Sequence, residues 1–140
     1  MTDRFDQAKR SEIMSHIKGK DTQPEKLVRR LLHKMGYRFR LHVNSLPGKP
    51  DIVLPRHKKV IFVHGCFWHG HKNCKRASRP QSNTNFWNRK IDANIARDRE
   101  NQRKLQLQGW NSLIIWQCQT KDLAALKNRL AKFINNEGKR

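Results

Sequence analysis

The sequence predicts an α/β domain in which helices flank a mixed β-sheet of about four strands. Two observations support this prediction. Apolar residues recur at helical spacing in some segments and form short alternating or continuous runs in others. These segments follow one another in the order α, α, β, β, β, α, β, α, and 140 residues without an internal repeat correspond to one domain, 1–140.

The first part of the chain carries two predicted helices. Residues 6–17 have a weak apolar stripe and indicate a short helix. The second helix has a stronger start signal, a capping box. In that motif Thr22 caps the helix, and Glu25, three residues later, reaches back to the Thr22 amide. The helix is expected to end at Gly36, which suits a left-handed cap.

Three strands are predicted in the middle of the chain. Apolar and polar residues alternate over 39–43, which is typical of a half-buried strand. Residues 51–54 form a second apolar run that ends before a proline. Residues 59–63 are nearly all apolar, so this strand is expected to lie inside the sheet.

The last part of the chain completes the pattern. A long helix is predicted from 84 to 108, with Gly109 ending it. A fourth strand follows at 113–116. Thr120 is expected to cap a final helix that carries leucines at helical spacing.

The charge of the chain predicts its class of partner. Lys and Arg number 31 against 11 Asp and Glu, so the formal net charge is +20. Such a chain attracts nucleic acid with little regard to base sequence. The basic residues are spread along the chain, which favours a basic folded surface over a disordered tail. A small RNA-binding protein fits this charge as well as an enzyme does.

The hydropathy of the chain bears on its location. It has no apolar run of roughly 18 or more residues, so no transmembrane helix is predicted. The segment 1–10 lacks the apolar stretch of a signal peptide. We therefore expect a cytoplasmic protein without a membrane partner.

Cysteine and histidine spacing predicts a structural zinc site. Cys66, His71 and Cys74 fall within nine residues, and Cys118 follows the fourth strand. Three sulfurs and one nitrogen are the ligands of a closed tetrahedral zinc site. The alternative is that Cys118 is only a small buried apolar residue.

One carboxylate and two histidines predict a catalytic site. Asp51 begins an apolar strand, where aspartate is disfavoured, and it could hold Mg²⁺ against a phosphate. The alternative is a turn hydrogen bond from a strand-initial Asp. With His71 assigned to zinc, His64 and His69 remain beside this carboxylate, and histidine carries protons near neutral pH.

At this point two motifs resemble those of the very-short-patch-repair (Vsr) mismatch endonucleases. They are PGKPD at 47–51 and VHGCFWHGH at 63–71. The resemblance covers about residues 6–136. Its further matches are Asp21-Thr22 with Glu25, Phe86-Trp87, Arg97-Asp98-Arg99, Gly109-Trp110 and Trp116 with Cys118.

The resemblance implies a fold, an activity and a partner. The fold would be a PD-(D/E)xK-type, restriction-endonuclease-like core with an added zinc-bound loop. The activity would be Mg²⁺-dependent nicking of duplex DNA on the 5′ side of the T in a T:G mismatch, which starts very short patch repair of deaminated 5-methylcytosine. The protein would be a monomer associated with the bacterial nucleoid, acting before downstream repair proteins.

The resemblance also implies residue roles. Asp51 would ligate Mg²⁺ together with the main-chain carbonyl of Val63. His69 would be the general base, oriented or assisted by Glu25, and His64 would act beside the metal and the phosphate. Because no acidic residue lies between Asp51 and position 92, much of the metal shell would be water and phosphate, and free protein would bind the metal weakly.

Recognition of the mismatch would use apolar side chains as a wedge. The resemblance assigns Phe67, Trp68 and Trp87 to this wedge, with Met14 entering from the opposite groove. Residues 1–20 would form a helical arm that contacts DNA. Insertion of such side chains unstacks a base step at a cost of about a few kcal/mol. This cost is lower at a mismatched step than at a correctly paired one.

Several alternatives stay open from the residues alone. Trp87 and Met14 fit core packing as well as a wedge, and Glu25 fits a helix cap without a catalytic role. Asp98 could orient a histidine or form a solvated pair with arginine. For the whole protein, the alternatives are a zinc-stabilised basic nucleic-acid-binding module without catalysis and a related nuclease without mismatch selectivity.

Overall fold

The computed structural model describes residues 22–72, 74 and 82–135. The predicted helix at 6–17 and the arm at 1–20, with Met14, lie outside these residues. Within the described ranges, the chain has the predicted α/β architecture, with helices packed on a mixed four-stranded sheet. None of the helices in these ranges is long and apolar enough to cross a membrane.

The sheet has the order β1-β2-β3-β4. Its strands are β1 (Arg40–Leu41), β2 (Ile52–Leu54), β3 (Lys59–His64) and β4 (Asn111–Trp116). The pairs β1–β2 and β2–β3 are antiparallel, and the pair β3–β4 is parallel. The apolar strand β3 therefore lies inside the sheet between β2 and β4, as predicted.

Three helices connect and cover the strands within the described ranges. They are α1 (Gln23–Lys34), α2 (Thr84–Leu107) and α3 (Leu123–Asn135). Short 3₁₀ helices at Pro55–His57 and Gln117–Lys121 follow β2 and β4. A parallel pair such as β3–β4 needs a long crossover, and α2 lies in that connection.

Helices cover both faces of the sheet. On one face α1 and α3 pack through Leu32 and Leu130 against Ile61 of β3. On the other face Leu105 of α2 packs with Val53 of β2 and Phe62 of β3. Side chains two residues apart in a strand share a face. The next residues in these two series are Asp51 and His64, so both lie on the α2 face.

The predicted strand at 39–43 is shorter in the structure. Only Arg40 and Leu41 pair with β2, and both are exposed rather than half-buried. The strand ends before His42 because the His42 backbone has a φ of 50°, in the left-handed region. Its amide still donates a hydrogen bond of 3.1 Å to the carbonyl of Asp51.

The predicted cap of the last helix was wrong. Thr120 lies in the 3₁₀ helix, and its hydroxyl donates to the Gln117 carbonyl at 2.7 Å. Helix α3 begins three residues later, and the Asp122 carboxylate accepts from the Ala125 amide at 3.1 Å. Asp122 therefore satisfies a free amide of the first turn, the role that had been assigned to Thr120.

Candidate active site and metal centre

The Asp51 carboxylate is held at the junction of β2 and β3. Since these strands are antiparallel and Ile52 lies opposite Ile61, the start of β2 lies beside the end of β3. The Val63 amide donates to Asp51 Oδ2 at 2.7 Å. This bond fixes the carboxylate within a cavity of about 260 Å³. The cavity is lined by residues that include Lys49, Asp51, Val63, His64, His69 and Asp98.

The environment of Asp51 disfavours its negative charge. The pKa of this carboxyl is raised to about 6, mainly by burial; the Val63 amide bond opposes this rise, and the nearby Glu25 adds to it. A bound cation would reverse this effect because it favours the ionised form. A divalent cation bound beside Asp51 would therefore lower the pKa of this carboxyl.

His64 is a buried, neutral imidazole. It is 5% exposed, and within the described ranges its Nδ1 has no hydrogen-bond partner. Burial lowers its pKa to about 3, and the neighbouring His69 lowers it too. The His64 ring stacks on His69 with centroids 3.7 Å apart and an interplanar angle of 7°. An uncharged ring with an available Nδ1 can accept or donate one hydrogen bond to a bound group.

His69 has a carboxylate partner. Its Nδ1 lies 2.6 Å from Asp98 Oδ2, and Asp98 comes from the middle of α2. This geometry fixes the orientation of the ring and leaves Nε2 as the nitrogen that can take a proton. The sequence left two contacts open for Asp98, with a histidine or with an arginine, and the structure shows the contact with His69.

Glu25 caps α1 in part and also joins the site. The Glu25 amide donates to Thr22 Oγ1 at 3.4 Å, which is one half of the predicted capping box. The Glu25 carboxylate is only 2% exposed and lies 2.5 Å from an Arg29 nitrogen and 2.9 Å from His42 Nε2. The contact of His69 is with Asp98 rather than with Glu25.

Sequence reasoning missed Arg29 and His42. The four-residue spacing of Glu25 and Arg29 on one helix is a signal for an ion pair. No local signal identifies His42, since it belongs to no motif and reaches the site through the pairing of its segment with Asp51. Ligand atoms of Glu25, His42 and Asp51 all lie within 4.8 Å of one another.

The four predicted zinc ligands come together. One ligand atom from each of Cys66, His71, Cys74 and Cys118 lies within 4.8 Å of the others. Cys118 Sγ is 3.5 Å from His71 Nδ1, and the Cys118 amide donates to Cys66 Sγ at 3.4 Å. Three sulfurs and one imidazole fit a structural zinc ion in type and number. Burial raises the pKa of the Cys66 thiol to about 11. A bound cation would lower this pKa, because it stabilises the thiolate.

Glycine allows the loop after β3 to lie close to α2. Gly70 has a φ of +61°, and a Cβ at this position would lie 2.6 Å from Ile95 Cδ1 and 3.1 Å from Ile91 Cγ2. A side chain here would therefore be strained by the backbone conformation and would require Ile95 to shift. The glycine lies between His69, which lines the cavity of Asp51, and His71, which belongs to the candidate zinc cluster, so it helps to position both.

The proposed wedge residues form an aromatic cluster beside this loop. The ring centroids of Phe67 and Trp68 are 5.4 Å apart, and they lie 5.5 and 5.9 Å from Trp87. Trp87 is only 3% exposed, whereas its neighbour Phe86 is 42% exposed. The buried Trp87 ring thus packs against the other two rings.

Comparison with known proteins identifies the family. The family described as "DNA mismatch endonuclease Vsr" matches residues 2–76. The Type II nicking enzyme V.XorIIP of Xanthomonas oryzae pv. oryzae is 48% identical over 96% of this chain and 98% of that protein. The Type II nicking enzyme V.NmeAIP of Neisseria meningitidis is 43% identical over 96% and 95% of the two chains. The DNA mismatch endonuclease Vsr of Escherichia coli is 42% identical over 99% and 91%. Both the matched motifs and the identities over the whole chain show that this protein belongs to the Vsr family of DNA mismatch endonucleases.

Proposed function

We propose that this protein is a Mg²⁺-dependent endonuclease that nicks one strand of duplex DNA on the 5′ side of the T in a T:G mismatch. The observation that carries the proposal is the cavity in which the Asp51 carboxylate, held by the Val63 amide, faces the His69–Asp98 pair. The names of the relatives, two nicking enzymes and a mismatch endonuclease, support cleavage of one strand at a mismatch.

The residues divide the hydrolysis of a phosphodiester between them. Asp51 and the Val63 carbonyl would hold Mg²⁺, which when bound stabilises negative charge on the phosphate. His69 Nε2 takes a proton from the attacking water, and Asp98 holds Nδ1 and stabilises the resulting imidazolium. Neutral, buried His64 would hydrogen-bond the phosphate. The Glu25 carboxylate lies near that of Asp51 and would be close to the bound cation.

Selectivity for the mismatch is assigned to the aromatic cluster. Phe67 and Trp68 would enter the base step, with Trp87 supporting them and Met14 entering from the opposite groove. Lys90 Nζ lies 5.7 Å from the centre of the Trp68 ring, and this cation would contact the DNA backbone beside the wedge. A mismatched step unstacks at lower cost than a paired one, so the wedge would favour it.

The remaining parts of the proposal concern context. Zinc would be bound by Cys66, His71, Cys74 and Cys118 as a structural ion. The protein would act as a monomer on the nucleoid in the bacterial cytoplasm, and other repair proteins would process the nick. The high positive charge supports a nucleic-acid partner, and the name of the Escherichia coli relative favours DNA.

The test measures cleavage of a set of otherwise identical DNA duplexes by the zinc-loaded protein in the presence of Mg²⁺. Three duplexes of one sequence, with T:G, T:A and C:G at the same position, are labelled on each strand in turn. We expect a nick 5′ to the mismatched T in one strand only, and Asp51→Ala should abolish it while DNA affinity persists.

Other outcomes separate the alternatives. Equal cleavage of T:G and T:A duplexes would make the protein a nuclease without mismatch selectivity, a reading that the burial of Trp87 also allows. Tight binding without any Mg²⁺-dependent product would make it a DNA-binding module. Cleavage by Asp51→Ala at the normal rate would refute the assignment of the metal site.

A further inference from the structure

An imidazole lies beside the two carboxylates of the candidate active site. Ligand atoms of Glu25, His42 and Asp51 lie within 4.8 Å of one another. His42 Nε2 is 2.9 Å from Glu25 Oε2. The three residues come from α1, from the segment after β1 and from the start of β2, so the sheet and the helix together build this cluster.

The backbone of His42 is held in an uncommon conformation. Its φ of 50° lies in the left-handed region, where a non-glycine residue persists only when its surroundings impose it. The hydrogen bond from the His42 amide to the Asp51 carbonyl, at 3.1 Å, is one such constraint. The strained residue and the residue it pairs with are therefore two members of the same cluster.

The composition of the cluster favours particular cations. Mg²⁺ prefers oxygen ligands and is held in proteins mainly by carboxylates, carbonyls and water. Imidazole suits transition metals such as Fe²⁺, Ni²⁺ and Zn²⁺, whereas carboxylates suit both Mg²⁺ and Mn²⁺. As a transition metal, Mn²⁺ accepts an added nitrogen ligand more readily than Mg²⁺ does. Two carboxylates and one imidazole therefore form a mixed donor set that distinguishes these ions.

We propose that Glu25, His42 and Asp51 form a site for a divalent transition-metal ion of the Mn²⁺ class. The proposal rests on the proposed function, which places a cation at Asp51, and it adds a nitrogen ligand and a metal preference to that site. With three protein ligands, the protein binds Mn²⁺ without DNA. This differs from the weak binding expected of a shell that is mostly water and phosphate.

Arg29 acts as a competing cation. Its guanidinium nitrogen lies 2.5 Å from Glu25 Oε2 and 3.1 Å from His42 Nε2, so it occupies the same acceptor atoms. The Arg29 side chain is 18% exposed, and a bound metal ion would have to displace its guanidinium from Glu25 and His42. Removing this positive charge should therefore tighten metal binding, which is the opposite of the effect of removing His42.

The experiment measures Mn²⁺ binding to zinc-loaded protein in the absence of DNA. Free Mn²⁺ is followed by electron paramagnetic resonance, and Mg²⁺ affinity is obtained by competition. The variant is His42→Asn, because asparagine tolerates the left-handed backbone. The matched control is His33→Gln, an exposed histidine on α1. Circular dichroism checks that each variant is folded.

The expected result is a selective loss. His42→Asn should weaken Mn²⁺ binding by roughly tenfold or more while Mg²⁺ affinity changes by less than about twofold. His33→Gln should bind both ions as the unaltered protein does. Arg29→Met should bind both ions more tightly.

Contrary results overturn the proposal in distinct ways. No loss in His42→Asn would show that the imidazole is not a ligand, and equal losses for the two ions would show that it confers no preference for Mn²⁺ over Mg²⁺. Weaker binding in Arg29→Met would show that Arg29 does not compete. Asp51→Asn tests the metal site of the proposed function. If this variant binds both ions as the unaltered protein does, no cation lies at Asp51, and that part of the proposed function is wrong as well.

Discussion

At the scale of single residues, the contact between Asp98 and His69 decides how the candidate base works. The two residues are 29 positions apart in the sequence, and Asp98 Oδ2 lies 2.6 Å from His69 Nδ1. A carboxylate in this position selects the tautomer of the ring and stabilises it once protonated. The His64 ring stacks on the face of the His69 ring, so His69 is held by both a hydrogen bond and a packing contact.

Replacing this carboxylate should slow cleavage without weakening DNA binding. We expect Asp98→Asn to lower the single-turnover nicking rate by roughly 10²-fold or more, because the amide stabilises the imidazolium poorly. The control is Glu100→Gln on the same helix, an exposed side chain paired with Arg103, whose loss should cost little. Equal rates for the two variants would show that Asp98 does not act through His69.

Gly70 allows a second test at this scale. Gly70→Ala should lower the free energy of unfolding by about 1–2 kcal/mol from the left-handed backbone alone, and by more because its Cβ meets Ile95. Gly36→Ala is the matched control, since Gly36 has a φ of +87° but no heavy atom within 4 Å of its Cβ. Urea unfolding of both variants measures the difference, and equal losses would mean that Ile95 moves aside at no cost.

At the scale of elements, the site forms where β2, β3 and α2 meet. The antiparallel pairing of β2 and β3 brings Asp51 to Val63, and α2 supplies Asp98 from above. The loop after β3 is joined to the end of β4 by the Cys66, His71, Cys74 and Cys118 cluster. Ring stacking of His71 on Trp116, with centroids 4.1 Å apart, adds to this connection.

Removing metal from this cluster should loosen the loop before it affects the sheet. We expect about one zinc ion per chain in freshly purified protein, and a lower melting temperature after treatment with a chelator. Cys118→Ser should have the same effect, with loss of nicking following the loss of stability. Elemental analysis and thermal unfolding measure these effects, and zinc-free protein of unchanged stability would contradict the assignment.

At the scale of the whole molecule, the proposed function assigns DNA attraction and mismatch selectivity to different residues. The net charge of +20 attracts DNA of any sequence. The aromatic cluster of Phe67, Trp68 and Trp87 has no charge and acts only at close range. Affinity and mismatch preference should therefore respond differently to salt.

A salt titration tests this separation. Between 50 and 200 mM salt, affinity for a T:A duplex should fall by roughly 10³-fold or more if at least six phosphates are contacted. The ratio of T:G to T:A affinity should change by much less, because both duplexes have the same phosphates. Fluorescence anisotropy measures both quantities, and a ratio that falls in step with affinity would show that the preference is itself electrostatic.

Local patterns in the sequence predict the α/β class, the approximate bounds of most helices and strands, the interior position of β3 and the four residues of the candidate zinc centre. These features depend on periodicity and on short spacings, which the chain carries regardless of how it folds. Tertiary structure alone decides which distant residues meet. It ends β1 before His42, gives the cap of α3 to Asp122, pairs His69 with Asp98, and brings His42 to Glu25. These contacts depend on sheet register and on the direction of α2, and neither is encoded within a short window of sequence.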